Sequence, residues 1–493
     1  MKRNIFKALA VVALAASLTS CGDDFLETKN YKGVDVDNGL SNASAVANAV
    51  NGEYYWLHDY RFAGNFAINI GEIPTDIAYW NAGTDHFNDI YQFTFTDQDN
   101  YLYGIWKYGN KVVDNSARAI KAAKNLYGAS SEEDKVTLDV AMGEAYALRG
   151  YANLLMVNVY GHQIKVDGQD FSSQPGLVIS EEPIAAFQEV ERSTVGQTYD
   201  AIVSDFKASL EHFAAAGGDK KQAVYFTKAA VEGLLARTYL YMENFDEAYS
   251  YAQKALADAN ITSLATTAAE YKALYNTTGS NKESLFYLAI NAKDNFSANS
   301  NGTLWSTYGY LPSPKLRKMY GANDCRTAIF NYSTTNGVEF FKGGKFSDFQ
   351  SGNAANATNY LVNASEMFLI EAEAKLRSAN PDLAAAKAAL LVVAKRNADI
   401  HTVNDLPATK EDLFSFLKDE RARELFQEGH RLWDLRRWNE KASVYAYGAP
   451  EVKYTYNNYN VSDLVFPIPV DEINSGFGVA QNDWSKTLPK AMP

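Results

Sequence analysis

The sequence has few of the residues on which many enzymes and disulfide-rich proteins depend. Its 493 residues include only two cysteines, Cys21 and Cys325, and six histidines that are scattered singly. If Cys21 is modified as argued below, Cys325 has no intramolecular disulfide partner. No nearby histidine or asparagine would activate its thiol, so we expect Cys325 to be a small buried residue rather than a nucleophile.

Common catalytic motifs are also missing. The chain contains no H-E-x-x-H, G-x-S-x-G, G-x-x-x-x-G-K-[ST] or G-x-G-x-x-G sequence, which leaves metalloprotease, serine hydrolase and nucleotide-binding functions without support. The segment from Asp35 to Gly39 resembles the start of a calcium loop, but Val46 stands where the bidentate glutamate is needed. We therefore predict no catalytic residue, no cofactor and no metal site.

Basic residues and long apolar runs are scarce as well. Lysine and arginine number 46 against 59 aspartates and glutamates, which gives a net charge of −13. Such an acidic chain is a poor partner for nucleic acid. Beyond residue 20 no apolar stretch reaches the ~18 residues that a transmembrane helix needs. With 47% hydrophobic residues, the body of the chain is predicted to fold as a globular unit.

The first residues form a leader. A basic start is followed by an apolar run from Val11 to Ala16 and by Leu18-Thr19-Ser20-Cys21, in which small residues precede a cysteine. This pattern is typical of a bacterial lipoprotein box. We predict a signal peptide over residues 1–20, lipidation of Cys21 and anchoring of the mature chain in a membrane by its acyl chains.

Residues 21–40 are polar and glycine-rich, as in a tether, and helical patterns begin near Ser41. Two long apolar faces have the three- and four-residue spacing of helices. They comprise Ala141, Ala145, Leu148, Ala152, Leu155 and Val159, and then Tyr199, Ile202, Phe206, Leu210 and Phe213. Residues 41–493 are predicted to form one mostly α-helical domain.

A divergent tetratricopeptide-like repeat occurs twice. Its small and large positions are present at Leu235, Ala236, Tyr239, Phe245, Ala248 and Ala255. Ala236 and Ala248 are twelve residues apart, and Ala372 and Ala384 repeat that spacing. Small residues at both positions let paired helices approach closely, and stacked pairs bury a shared core. The predicted fold is thus a superhelix of helix pairs with long loops and a few short strands.

Charges interrupt one apolar helical face. Leu413, Phe414 and Leu417 define the face, and Arg421, Glu424 and Glu428 continue along it. Buried charges are costly unless they are paired. We expect partners from the residues that follow Gly429, namely Arg431, Asp434, Arg436 and Arg437. The expected role of this ionic cluster is structural.

Aromatic residues in two loop regions are the candidate ligand-binding site. Six residues combine aromatic rings with an amide: Tyr79, Trp80, Asn81, Trp305, Tyr308 and Tyr310. A pyranose has C–H bonds on its faces and hydroxyls around its rim, so an aromatic ring next to amide or carboxylate acceptors suits it. Trp80 is equally compatible with a place in the core. Trp106 lies on a helical pattern and is expected there.

The whole set of motifs resembles the SusD-like (RagB/SusD) outer-membrane lipoproteins of Bacteroidetes. The likeness rests on the lipobox with Asp24-Phe25-Leu26, the two helix pairs, the segment RELFQEGHRLWDLRRW and the ending Phe466-Pro467-Ile468-Pro469 with Gln481-Asn482. It covers essentially the whole chain. The resemblance implies a single helical domain with four tetratricopeptide-like units. It also implies a cell-surface, non-catalytic protein that captures oligosaccharides and covers a SusC-like TonB-dependent transporter as a lid.

Two other functions fit the same residues. Capture of peptides for the same class of transporter would explain the tether and the repeats equally well. A surface-anchored glycosidase needs only two carboxylates at a suitable separation, and a chain with 59 acidic residues can supply them. No contact residue is carried over from the family, because the six candidate site residues are chosen for their chemistry.

Overall fold

The computed structural model describes residues 39–276, 279–346, 352–446 and 454–489. The predicted leader, Cys21 and nearly all of the tether lie outside these ranges. Within them the fold is mostly α-helical with short strands, as predicted.

The helices are listed in chain order. They are α1 (Ala43–His58), α2 (Phe66–Asn69), α3 (Asn88–Tyr91), α4 (Asn100–Tyr127), α5 (Glu132–Tyr160), α6 (Val195–Ala215), α7 (Lys228–Tyr241), α8 (Phe245–Asp258), α9 (Ala268–Leu274), α10 (Asn301–Ser306), α11 (Pro314–Met319), α12 (Ala364–Arg377), α13 (Leu383–Ala394), α14 (Lys410–Glu424), α15 (Arg431–Arg437), α16 (Val470–Asn474) and α17 (Trp484–Thr487). Short 3₁₀ helices occur at Ser297–Asn299, Cys325–Ile329, Ala354–Asn356 and Val403–Asp405.

The strands form two-stranded antiparallel sheets. They are β1 (Ala78–Trp80), β2 (Lys165–Val166), β3 (Gln169–Asp170), β4 (Ser284–Leu288), β5 (Tyr310–Pro312), β6 (Tyr332–Thr335), β7 (Val338–Phe341), β8 (Asn359–Asn363), β9 (Lys441–Tyr445) and β10 (Tyr454–Asn460). β1 pairs with β5, β2 with β3, β4 with β8, β6 with β7 and β9 with β10. The β1–β5 and β4–β8 pairs join distant parts of the chain.

The long helices pack in series. α4 contacts α5, α5 contacts α6, and the succession continues through α7, α8, α12 and α14, while α13 packs against α12. Each amphipathic helix thus buries its apolar side against its neighbours, as in a solenoid of helix pairs. The predicted faces of α5 and α6 are buried, apart from the partly exposed Leu210. Trp106 is buried in α4, and its indole nitrogen donates to Glu472 at 3.0 Å.

The repeat of the helix pair is confirmed, but the predicted alignment of the second helices, α8 and α13, is wrong. α7 and α12 match at a constant offset of 136 residues, and Ala236 and Ala372 are both fully buried. Ala384, however, is exposed, and Ala386 takes the place of the buried Ala248. The turn before α13 is two residues longer than the turn before α8. This insertion shifts α13 by two residues relative to α8. The twelve-residue spacing of the alanines did not reveal the insertion.

The charged segment is buried, as predicted. Asp434 accepts hydrogen bonds from Arg421 at 2.8 Å and from Arg437 at 2.9 Å. Arg437 also pairs with Glu373, which lies on α12 and is fully buried. Because Asp434 and Glu373 each have at least one guanidinium partner, the cost of burying these charges is offset.

Two of the expected pairings were wrong. α14 ends at Glu424, so Glu428 lies beyond the helix. Glu424 pairs with Arg396 at 2.8 Å and with Arg326 at 3.2 Å, and Glu428 pairs with Lys345. These partners come from distant segments that the local sequence pattern did not indicate. The cluster therefore connects several parts of the chain rather than one helix and its return.

Arg431 and Arg436 also find partners outside the segment. Arg431 pairs with Asp76 at 2.8 Å. Arg436 donates to the backbone carbonyls of Asn158 and Gly161 at 2.6 and 2.8 Å. The Arg431–Asp76 pair fixes the chain just before β1, and the Arg436 hydrogen bonds fix the end of α5.

No helix in the described ranges is both long enough and apolar enough to cross a membrane.

Helix α4 begins at a cap that carries an electrostatic cost. The Asp99 carboxylate accepts hydrogen bonds from the backbone N–H groups of Tyr101 and Leu102 at 2.8 and 3.0 Å. Burial nevertheless raises the pKa of Asp99 to about 6, because these two bonds only partly compensate the loss of solvent. At neutral pH the helix is capped by an ionised but poorly solvated group.

Replacing Glu424 with alanine should destabilise the fold strongly. The substitution leaves Arg326 and Arg396 buried without one of their carboxylate partners, and we expect it to lower the free energy of unfolding by about 3–5 kcal/mol. Urea denaturation followed by circular dichroism measures this. Glu211→Ala, at an exposed position of α6, is the matched control and should change little. Equal effects of the two variants would contradict a structural role for the cluster.

Asp99→Asn should remove the cost of the buried charge while keeping the cap, since asparagine caps helices as well as aspartate does. The wild-type carboxyl is protonated in the folded state below about pH 6 and in the unfolded state only below about pH 4. The wild type therefore gains stability from this group as pH falls from 6 to 4. We expect the variant to exceed the wild type in unfolding free energy at pH 8, and the difference to shrink towards pH 4. A difference independent of pH would contradict this assignment.

Candidate functional site

A cavity of about 660 Å³ lies between residues 60–66, residues 85–101 and residues 298–308. We call it the aromatic–acidic cavity after its lining. Its rings are Tyr60, Phe66, His86, Phe87, Phe95, Tyr101 and Tyr308. Its hydrogen-bonding side chains include Asn65, Asp85, Asn88, Asp89, Asp99 and Asn299. The volume and the mixture of rings and polar groups are typical of a small-molecule site.

The β1–β5 pair positions the loop that forms one wall. Trp80 lies opposite Tyr310 in the register, and the chain then turns at Asn81. The Asn81 amide nitrogen donates to the backbone oxygen of Glu339 at 2.6 Å, and its side-chain oxygen accepts from Gly83 at 2.8 Å. Gly309 has a φ of +86°, and a side chain there would collide with Asn81. Asn81 thus joins the loop to the β6–β7 hairpin.

Stacked rings continue this wall. Tyr308 stacks on His86 with a centroid separation of 3.7 Å and an interplanar angle of 9°. Phe87 stacks on Tyr101 at 3.9 Å, and its backbone N–H donates to the Tyr101 hydroxyl at 2.9 Å. The Tyr310 hydroxyl donates to the backbone oxygen of His86 at 2.8 Å. Tyr308 and His86 are half-buried, so the pair presents an aromatic surface to the cavity.

A network of amides supports the segment 298–308, which carries Tyr308. The Trp305 indole donates to Asn69 at 3.0 Å, and Asn69 in turn donates to Asn65 at 2.7 Å and to Asn301. Asn65 donates to the backbone oxygen of Asn299 at 2.8 Å. Buried amides that are hydrogen-bonded in this way specify one arrangement of the chain. The network therefore fixes the position of residues 298–308 relative to α2.

The cavity is acidic. Asp85, Asp89 and Asp99 line it, and none of the described lining residues is a lysine or an arginine. Partial burial lowers the pKa of His86, so this ring is neutral at pH 7. Asp89 accepts a hydrogen bond from Thr94 at 2.9 Å. The site thus offers hydrogen-bond acceptors and negative charge beside its rings.

Five of the six predicted site residues are buried rather than open to a ligand. Tyr79, Trp80 and Asn81 are at most 9% exposed, and Trp305 and Tyr310 at most 1%. Tyr79 and Trp80 are therefore not open to a ligand in this structure, because strand β1 lies inside the fold, and Trp80 takes the core position that the sequence also allowed. Asn81, Trp305 and Tyr310 instead hold the cavity walls in place. Tyr308 lines the cavity and stays a candidate for ligand contact.

Sequence reasoning missed most of the lining. Tyr60 follows α1, and His86 and Phe87 lie between β1 and α4, where no helical or strand periodicity is long enough to assign a face. Tyr101 lies in the first turn of α4. The only local signal was the alternation of aromatic and polar residues over 84–101. That alternation does not show which side chains meet across the fold.

Metal and thiol chemistry find no support in the described ranges. No cluster of histidine, cysteine, aspartate or glutamate side chains there is arranged to hold a metal ion. Cys325 is 6% exposed, as expected for a small buried residue, and burial raises the pKa of its thiol to about 12.

A second cavity of about 590 Å³ beside the start of α7 is lined by three lysines and, among its described residues, by one aromatic ring, Tyr287.

Two family models match the chain. One, described as the SusD family, matches residues 239–484. The other, described as starch-binding associating with outer membrane, matches residues 24–240. A curated relative, the SusD-like protein P38 of Formosa agariphila, is 22% identical over 357 residues, which is 62% of this chain and 67% of the relative.

Solved structures share the fold. A putative sugar binding protein from Bacteroides vulgatus superposes with a TM-score of 0.78 at 23% identity, covering 90% of this chain and 99% of its own. A SusD superfamily protein from Bacteroides thetaiotaomicron gives 0.77 at 20% identity with the same coverage. A SusD-like carbohydrate binding protein from Bacteroides vulgatus gives 0.66 at 20% identity, covering 82% of this chain and 85% of its own. From the two family models, which together span residues 24–484, we conclude that this chain belongs to the SusD family.

Proposed function

We propose that the protein is a non-catalytic binding protein that captures oligosaccharides at the outer-membrane surface. The observation that carries this proposal is the aromatic–acidic cavity, which places stacked rings beside amide and carboxylate acceptors. The faces of a pyranose pack on rings, while its hydroxyls donate to such acceptors. The family description of starch binding and the sugar-binding relatives are consistent with this ligand class.

The captured oligosaccharide would pass to a SusC-like TonB-dependent transporter, which the protein covers as a lid. The mechanism is a difference in ligand affinity between an open and a closed state of the complex, because a ligand shifts an equilibrium only by binding one state better. Anchoring through Cys21 would keep the protein at the membrane. The family's outer-membrane association supports this location.

Titration calorimetry against a panel of neutral and acidic oligosaccharides and of peptides tests the ligand class. We expect binding of at least one oligosaccharide and no release of new reducing ends over prolonged incubation. Tight binding of peptides without binding of any glycan would favour the peptide alternative. Sustained hydrolysis that a single aspartate or glutamate substitution abolishes would establish a glycosidase instead.

Removing the Tyr308 ring should weaken binding of the glycan identified in that panel. Tyr308→Ala takes away one ring of the His86 pair and with it a stacking surface. We expect about a tenfold loss of affinity, equivalent to ~1.4 kcal/mol, in the same calorimetric assay. Tyr55→Ala, which truncates a tyrosine that is 64% exposed outside the cavity, is the matched control. A loss for Tyr55→Ala and none for Tyr308→Ala would place the site elsewhere.

Cys21→Ser should release the protein from the membrane, because serine cannot form the thioether to the lipid. Cell fractionation with immunoblotting measures the distribution between membrane and soluble fractions. Retention of the variant in the outer membrane, at wild-type level and without a size change, would contradict lipid anchoring at this residue.

A further inference from the structure

The charges around the aromatic–acidic cavity all have one sign. Asp85 and Asp89 are exposed at the rim, and Asp99 is partly buried at the start of α4. His86 is neutral at pH 7, as shown above. Three carboxylates in one cavity, without a lysine or an arginine among the described lining residues, produce a negative potential wherever a ligand can enter.

The basic residue that follows Tyr60 does not compensate this charge. Arg61 forms a two-pronged pair with Asp59 at 2.8 and 2.7 Å. Its guanidinium also lies 3.9 Å from the centre of the Tyr108 ring. It also lies 4.9 Å from the centre of the Tyr60 ring, which lines the cavity. Arg61 itself is not a lining residue, and its positive charge is neutralised by Asp59.

The α4 N-terminus, a position that ordinarily attracts anions, is also unavailable. A helix of this length presents free N–H groups and a partial positive charge at its start. Here the Asp99 carboxylate already accepts the Tyr101 and Leu102 N–H groups. An anionic ligand would have to displace a carboxylate of the protein itself, or approach it closely.

We infer that the cavity selects saccharides that carry no negative charge, and that Asp85 and Asp89 reject uronate and sulfated sugars. This inference rests on the proposed function. Carboxylates are acceptors only, and each oxygen can receive hydroxyl donors from a neutral sugar. The same oxygens repel a sugar carboxylate or sulfate, which can donate no proton to them at neutral pH. One set of side chains therefore both binds the neutral ligand and discriminates against the charged one.

A matched pair of probes separates charge from shape. The probes are the neutral hexasaccharide of highest affinity among malto-, cello- and mannohexaose, and the same sugar after oxidation of its primary hydroxyls to carboxylates. We expect the oxidised sugar to bind the wild type at least about tenfold more weakly at 0.05 M salt. The ratio should fall in 1 M salt, since screening shortens the range of the repulsion.

The variant Asp85→Asn/Asp89→Asn removes two of the charges and keeps side chains of the same size. We expect the ratio of the affinity for the neutral sugar to the affinity for the oxidised sugar to decrease several-fold. The main reason is that the oxidised sugar should bind the variant more tightly. Asp200→Asn makes the same chemical change at an exposed position of α6 outside the cavity. It should leave the ratio unchanged.

Three outcomes would overturn the inference. The oxidised sugar could bind the wild type as tightly as the neutral one, a uronate oligomer such as hexagalacturonate could be the tightest ligand of a wider panel, or the double variant could leave the ratio at its wild-type value. In each of these cases oligosaccharide binding itself would still be established. Failure of every saccharide to bind would instead remove the proposed function, and the charge selection with it.

Discussion

Ion pairs between buried arginines and carboxylates around residues 421–437 set the positions of the other segments, because they link α12, α14 and the chain before β1. Burial alone would raise the pKa of Asp76, but Arg431 and Lys315 outweigh that effect and hold it well below its usual range. The same balance lowers the pKa of Glu424, where Arg396 and Arg326 outweigh burial. These charges remain ionised inside the protein because several chain segments converge on them. The ion pairs therefore require the correct tertiary arrangement as much as they stabilise it.

This cluster also determines where the candidate site lies. Asp76 lies two residues before β1, and the backbone N–H of Leu432 donates to the carbonyl of Gly71 at 2.8 Å. A side chain on Gly71 would collide with the backbone oxygen of Gly429, and a side chain on Gly429 would collide with the backbone oxygen of Ile68. The segment that leads from α2 to β1 is thus fixed against the charged segment. The cavity walls on both sides of this segment are positioned by the same contacts.

Most side chains of the candidate site lie on short elements that the packed helices support. The buried Asn81 links its loop to the β6–β7 hairpin, and the buried Trp305 links its segment to α2, each through a hydrogen bond. The rings that line the cavity, such as Tyr101 and Tyr308, are held by stacking on neighbours rather than by burial. A site of this kind can vary its contact residues while the supporting residues stay in place. Supporting and contacting residues are for this reason easily confused in a sequence.

Sequence patterns predicted the helical class, the repeat in α7 and α12, the burial of the charged segment and the family resemblance, because these depend on periodicity over ten or more residues or on local motifs. Tertiary packing was needed to establish which charges pair, where α13 begins, and which aromatic rings face the cavity. Glu424 meets Arg326, and His86 meets Tyr308, across long separations in the chain. Such tertiary contacts form when segments without regular periodicity pack against a common core. No local residue spacing predicts them.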